Sequence, residues 1–361
     1  MSAPQPPGTG LPAAPKPAGR RPVNQRLIVG IVIALALAMV AAGIVTSWVR
    51  DRGTLGKARE VVEDYLTAVA EGDADRARSH LDTSRNYSGD DSLLTDEVLR
   101  ASKERAPMSG IDVGEATKDQ DRSATYHVPV SYTVGEDTVS TTVEVQVISS
   151  PDDPVVISLT RLRLDQYRGA EVTVNGVTAR SNAPAVFPGS YTVAPASEYL
   201  EIVRGDVAAT DVAKEDYTPS KESHLAVSEA GVELFRDKVV AEAERCLAST
   251  RLDPGCGAVM PQHPDPALYF KCAEVREGSV HRWQEPEEAA RLHSVTPEPK
   301  IGSPTVIRAD GDQLGRIRLT ATCRQGDTWS EREMDRYDPG TRFGSPSLDL
   351  TDPDRKIMWT T

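Results

Sequence analysis

His127, Glu144 and the four cysteines are the side chains in this 361-residue chain whose type and spacing suit chemistry. His127 lies in a stretch, 122–134, where apolar and polar residues alternate. A period of two builds a half-buried strand. It puts His127 on one face with Thr125, Pro129, Ser131 and Thr133, opposite Tyr126, Val128, Val130 and Tyr132. Gly135-Glu136-Asp137 turns the chain, and alternation resumes through Val139, Thr141, Val143, Val145 and Val147. This predicts an antiparallel hairpin with Glu144 on its polar face. A histidine works as a general base only with an oriented partner within hydrogen-bond reach. Glu144 on the adjacent strand is the candidate partner. The expectation remains a solvent-facing histidine, with the apolar face packed on helices and no catalytic residue in the chain.

Cys246, Cys256, Cys272 and Cys323 all fall in the last third. An even count predicts two structural disulfides in an exported region. Of three pairings, the spacing favours Cys246–Cys256, across Asp253-Pro254-Gly255, and Cys272–Cys323. A zinc site is the alternative, but no C-x-x-C occurs and the spacings are wide. Asp310-Gly311-Asp312 resembles a calcium loop but lacks the full ligand run and terminal Glu, so an exposed turn is expected. His281 and Trp283 read as an exposed patch or, for Trp283, as core. The metalloprotease, nucleophile-elbow and phosphate-loop signatures are missing from the sequence. No metal or cofactor is expected.

Charge and hydropathy locate the rest. Forty-one Lys and Arg stand against 54 Asp and Glu, a net charge of −13 that disfavours nucleic-acid partners. Residues 27–49 carry no charge between Arg26 and Arg50. At about 1.5 Å per residue they are long enough to span a bilayer, so a transmembrane helix is predicted there. A cleaved signal peptide is the rival, but signal cores are shorter. Residues 1–26 hold Lys16, Arg20, Arg21 and Arg26, no acid and seven prolines. That predicts a disordered cytoplasmic tail, with the rest of the chain extracytoplasmic.

Within the exported part, Ala58, Val62, Tyr65, Leu66 and Val69 recur at helical spacing. Gly72 can end that helix and Asp73 can cap the next. A third is expected from Thr95. Strands near 111–117 and 155–164 would flank the hairpin. Asn175-Gly176 predicts a tight hairpin turn and Pro188-Gly189 a type II turn. Ser228 can cap a helix that carries Val232, Phe235, Val239, Ala243 and Cys246 on one face. Strands are expected at 268–275 and 315–323, loops at 284–305 and 335–355, and a last short strand at 356–360.

The segment Tyr65-Leu66-Thr67-Ala68-Val69-Ala70-Glu71-Gly72-Asp73-Ala74 resembles the opening of nuclear-transport-factor-two-like domains, the cystatin-like cone fold. The resemblance covers about a third of the chain. It implies helices followed by a curved antiparallel sheet. Single-pass exported proteins of high-GC Gram-positive bacteria often carry such a domain behind a membrane helix, and the chain resembles these. Some penicillin-binding proteins do as well, but their S-x-x-K is missing from this sequence. The Val-Asn-Gly-Val and Pro-Gly-Ser-Tyr-Thr-Val segments of 174–193 resemble small surface-layer or carbohydrate-associated β modules.

The expected fold class is therefore α+β. A transmembrane helix (27–49) precedes a helices-then-antiparallel-sheet cone domain (54–165), a small β module (166–203) and a disulfide-bearing α+β region (204–361). The expected function is non-enzymatic binding or assembly in the cell envelope. Expected partners are the lipid bilayer, through 27–49, and an unidentified envelope protein. The resemblance also allows an accessory subunit of an envelope transport system, or a small hydrolase or isomerase using a cone cavity.

Overall fold

A computed structural model describes residues 53–81, 90–122, 124–147, 154–156, 159–265, 272–334 and 340–360. The described residues from Leu55 onward form one compact unit. The basic tail and the apolar run 27–49 lie outside the described residues. Helix α1 (53–71) buries Ala58, Val62, Tyr65, Leu66 and Val69 along one stripe. It stops at Gly72, whose φ of 82° disfavours any residue with a Cβ. Asp73 then caps α2 (Ala74–Ser79) by accepting from Arg76 N, and Thr95 caps α3 (Asp96–Arg105) by accepting from Val98 N.

The first sheet follows: β1 (Met108–Val113), β2 (Thr117–Lys118), β3 (Thr125–Val134), β4 (Asp137–Val147) and β5 (Pro154–Val156). Its order is β1-β3-β4-β5, with β2 also paired to β3. The β3–β4 hairpin is in continuous antiparallel register from Thr125↔Gln146 to Val134↔Asp137. Tyr126, Val128, Val130, Tyr132, Val143 and Val145 point inward and pack in one core with α1.

Nine short strands come next: β6 (Thr160–Leu162), β7 (Val172–Val174), β8 (Val177–Thr178), β9 (Ala185–Val186), β10 (Gly189–Pro195), β11 (Leu200–Val203), β12 (Asp206–Ala209), β13 (Asp216–Tyr217) and β14 (His224–Val227). They form the small sheets β12-β10-β7-β8, β13-β6-β9 and β11-β14. The β7–β8 turn is Asn175-Gly176, with φ of 49° and 86°, as a type I′ hairpin requires. Gly189 makes no type II turn. It opens β10 in extended backbone, where an added Cβ would fall 2.1 Å from Ser102 Oγ.

The last third begins with α4 (Glu229–Ala248), capped by Ser228 Oγ accepting from Gly231 N. Gly231 is required by close approach, since a Cβ there would meet Tyr199 O at 2.3 Å. Then come β15 (Glu274–Val275), β16 (His281–Trp283), α5 (Pro286–Leu292), β17 (Glu298–Lys300), β18 (Ser303–Arg308), β19 (Arg318–Gln325), β20 (Thr328–Glu333), β21 (Ser345–Asp349) and β22 (Ile357–Thr360). One sheet is β15-β19-β16 with β20 on the other edge of β19, and the other is β17-β18-β21-β22. The structure thus places helix and strand in 284–305 and a strand in 345–349, where loops were expected. Pro286 sits in the first turn of α5, which a proline tolerates.

The α+β expectation headed by a transmembrane helix needs correction. The described residues are mixed α/β, with about 37% in strands and 25% in helices. Helices α4 and α5 alternate with strands, and β6 pairs in parallel with β13. Among the described residues no helix is long and apolar enough to cross a membrane. Even α4, with 20 residues, carries Glu, Asp, Lys and Arg throughout its length.

The buried clusters draw on both sides of residues 165 and 203. Ala185, Phe187 and Val212 share the core of α1 and the first sheet, and Leu93 and Val98 share that of β7 and β10. Polar bridges run the same way. Tyr132 is buried, and its hydroxyl donates to Thr210 O (2.7 Å) and accepts from Val212 N (2.9 Å). Ser102 Oγ accepts from Ser190 N, and Asn175 joins Val98 O to Thr192 N. Replacing Tyr132 with Phe strands the buried Val212 amide, so Tyr132→Phe is expected to lower unfolding free energy by about 1–3 kcal/mol in urea titrations. A change near zero would mean that the bridge does not tie these segments.

Candidate functional site

The histidine singled out by the sequence sits in a four-residue charged cluster on the outer face of the first sheet. Strand β2 pairs Thr117 with His127, so the chain leaves β2 at Asp119 beside the imidazole. Asp119 then shapes the turn that follows. Its Oδ1 accepts from the backbone N–H of Asp121 (2.8 Å) and of Arg122 (2.9 Å), and its own N–H donates to Thr125 O (2.9 Å). Asp119 Oδ2 lies 2.9 Å from His127 Nε2 and accepts from Arg122 Nε (3.2 Å) and Nη2 (3.1 Å). Arg122 also clasps both oxygens of Glu144, one of them at 3.1 Å. Glu144 is directly opposite His127 in the β3–β4 register.

The two sequence candidates are therefore brought together on one face, but they are not partners in a bond. Glu144 serves Arg122, and the carboxylate on His127 is Asp119. The ring holds Asp119 well below the usual carboxylate range, helped by the Arg122 and Asp121 amides. Glu144, followed by Asp119, holds the Arg122 guanidinium charged.

This arrangement orients an imidazole, as a general base requires. It supplies little else. Asp119 also serves two amides and a guanidinium, so its carboxylate is not dedicated to the ring. The His127 side chain is 35% exposed on an open face. The inward face behind it is filled by Tyr126, Val128 and Val145, each at most 5% exposed.

The remaining candidates are structural. Cys246 is bonded to Cys256 and Cys272 to Cys323, with Cα separations of 6.0 and 5.4 Å. Two disulfides point to an oxidising, extracytoplasmic setting. Asp310 Oδ1 accepts from Asp312 N and caps a short 3-10 turn, Gly311–Leu314. Among the described residues, no group of three or more His, Cys, Asp or Glu side chains is arranged to hold a metal ion. His281 is exposed and Trp283 half-buried on β16.

Between them lies a residue that the sequence reading passed over. Arg282 is 6% exposed. Its Nη1 donates to Ser249 O and Arg251 O (2.9 Å each), and its Nη2 to Leu252 O and Ala258 O (3.2 Å each). Burial lowers the pKa of this guanidinium, while Asp253 and Glu277 act in the opposite direction. The available signal was alternation: Arg282 falls on the same strand face as the fully buried Val280.

Compared with protein-family models, curated proteins and solved structures, the chain shows no match.

The depressed pKa of Asp119 fixes a pH signature. Its bonds stabilise the native state above the unfolded carboxylate range near ~4, and that contribution is lost as pH falls through this range toward the lower folded value. Asp119→Asn should therefore be less stable than wild type by the same margin at pH 7 and pH 5, with the gap closing below about pH 4. Urea titrations at the three pH values test this. A gap that persists unchanged below about pH 4 would mean that the Asp119 carboxylate does not carry the dependence.

Proposed function

We propose that the chain is a non-enzymatic, extracytoplasmic protein of the cell envelope that works by binding or assembly. The observation that carries this reading is the filled inward face of the first sheet, which leaves His127 and its carboxylate outside, in an ion cluster on β3 and β4. A cone-domain hydrolase or isomerase would need the opposite arrangement, with acid and base inside a cavity. The two disulfides support the compartment. The uncharged run 27–49, with a basic segment before it, supports attachment to a lipid bilayer with residues 1–26 on the cytoplasmic side. The order of α1, α2 and α3 before the β1–β5 sheet supports the likeness to nuclear-transport-factor-two-like domains.

After residue 49 the chain carries 37 basic and 54 acidic residues, so the exported part presents a strongly acidic surface to its partner. Full-length protein recovered from solubilised envelopes should bring down one specific envelope protein, and His127→Gln should recover it equally well. Absence of a partner, together with turnover of a small ester or ketone that His127→Gln abolishes, would overturn the proposal.

A further inference from the structure

Arg282 is a buried cation with no direct carboxylate against it among the described residues; its four donated bonds go to backbone carbonyls of 249–258. That segment has no helix or strand of its own. It also carries Cys256, which must reach Cys246 at the end of α4 while Cys272 and Cys323 compete for it. Arg282 sits on β16, opposite Leu319 of β19, and β19 also carries Cys323. One guanidinium thus fixes the loop against the very strand pair that holds the competing sulfur.

We infer that Arg282 is a positioning residue that directs disulfide pairing. It gathers the loop carbonyls so that Cys256 meets Cys246 and is kept from Cys272 and Cys323. The physical reason is hydrogen-bond satisfaction. Buried carbonyls need donors, and a planar guanidinium supplies several in a fixed fork. Arg282 provides four here, so the loop has one strongly favoured path.

The chemistry is ordinary thiol–disulfide exchange with a small-molecule disulfide as oxidant. One thiolate of the pair attacks the oxidant, forms a mixed disulfide and releases one thiol. The second thiolate then attacks the protein sulfur of that mixed disulfide, forming the Cys246–Cys256 bond and expelling the second thiol. The two cysteines lose two electrons, the oxidant gains them, and both cysteine protons end on the released thiols.

The test is oxidative refolding of the full reduced chain in a glutathione redox buffer, with connectivity read by peptide mapping. Wild type should return Cys246–Cys256 and Cys272–Cys323. Arg282→Met should drift toward the one-in-three share that three possible connectivities imply. Arg282→Lys, which keeps the charge but loses the fork, should fall between. Leu348→Ala is the control, because Leu348 is fully buried in the same core as Cys246 and Cys256. It should keep native pairing even where it unfolds as readily as Arg282→Met. With Cys272 and Cys323 both changed to Ser, the effective concentration of Cys246 for Cys256 should be ~10-fold lower in Arg282→Met than with Arg282 intact. This ratio can be measured whether or not the variant reaches a native fold. Native pairing in Arg282→Met, or equal scrambling in Leu348→Ala at matched stability, would overturn the inference.

Discussion

Packing of the inward side chains of β3 and β4 against α1 is the contact on which the rest of the molecule depends. Aromatics make up 5% of the chain, so this core is built from Val and Ala around Tyr65, Tyr126 and Tyr132. Small side chains fill space only when helix and sheet approach closely, and that closeness leaves the sheet interior occupied. Polar residues of the same strands are consequently turned outward, and His127, Asp119, Arg122 and Glu144 neutralise one another there. The buried tyrosine has a second effect. Its hydroxyl cannot be left without a partner in an apolar core. It takes both partners from 210–212, so the neighbouring segment is fastened to the first sheet.

The same logic recurs further along the chain with different staples. The last third divides its apolar residues between two modest clusters, and one disulfide lies in each. Small cores gain much from such cross-links, because they bury too little to offset chain entropy alone. Arg282 completes the set: where the chain forms no strand, its carbonyls converge on a guanidinium. Burial of charge is costly, and the four acceptors offset part of that cost, while Nε is buried without a partner among the described residues.

Legibility in the sequence followed the strength of local signals. The β3–β4 hairpin, the Asn175-Gly176 turn and the capped starts of α2, α3 and α4 all follow from alternation, turn chemistry and capping residues. Helix α5 and strand β21 were hidden, because Pro and Gly dominate their surroundings and the pairing that stabilises β21 is with distant strands. Gly189 misled because the backbone was read as a turn, whereas the constraint is tertiary, the close passage of Ser102. In the site, period-two alternation put His127 and Glu144 on one face. It could not show Asp119, which reaches the imidazole from a two-residue strand too short to leave a pattern. Arg282 was hidden by its type, since arginine is rarely buried and its partners are backbone atoms without sequence identity.

Two small cores, each cross-linked by a disulfide, suit a protein that persists outside the reducing cytoplasm. The most direct measurement is the redox state of the four cysteines in the living cell. Intact cells would be lysed into alkylating reagent without reductant, and the peptides mapped by mass spectrometry. The account predicts no alkylated cysteine and two linked pairs, Cys246 with Cys256 and Cys272 with Cys323. Four alkylated thiols in the folded protein would contradict it.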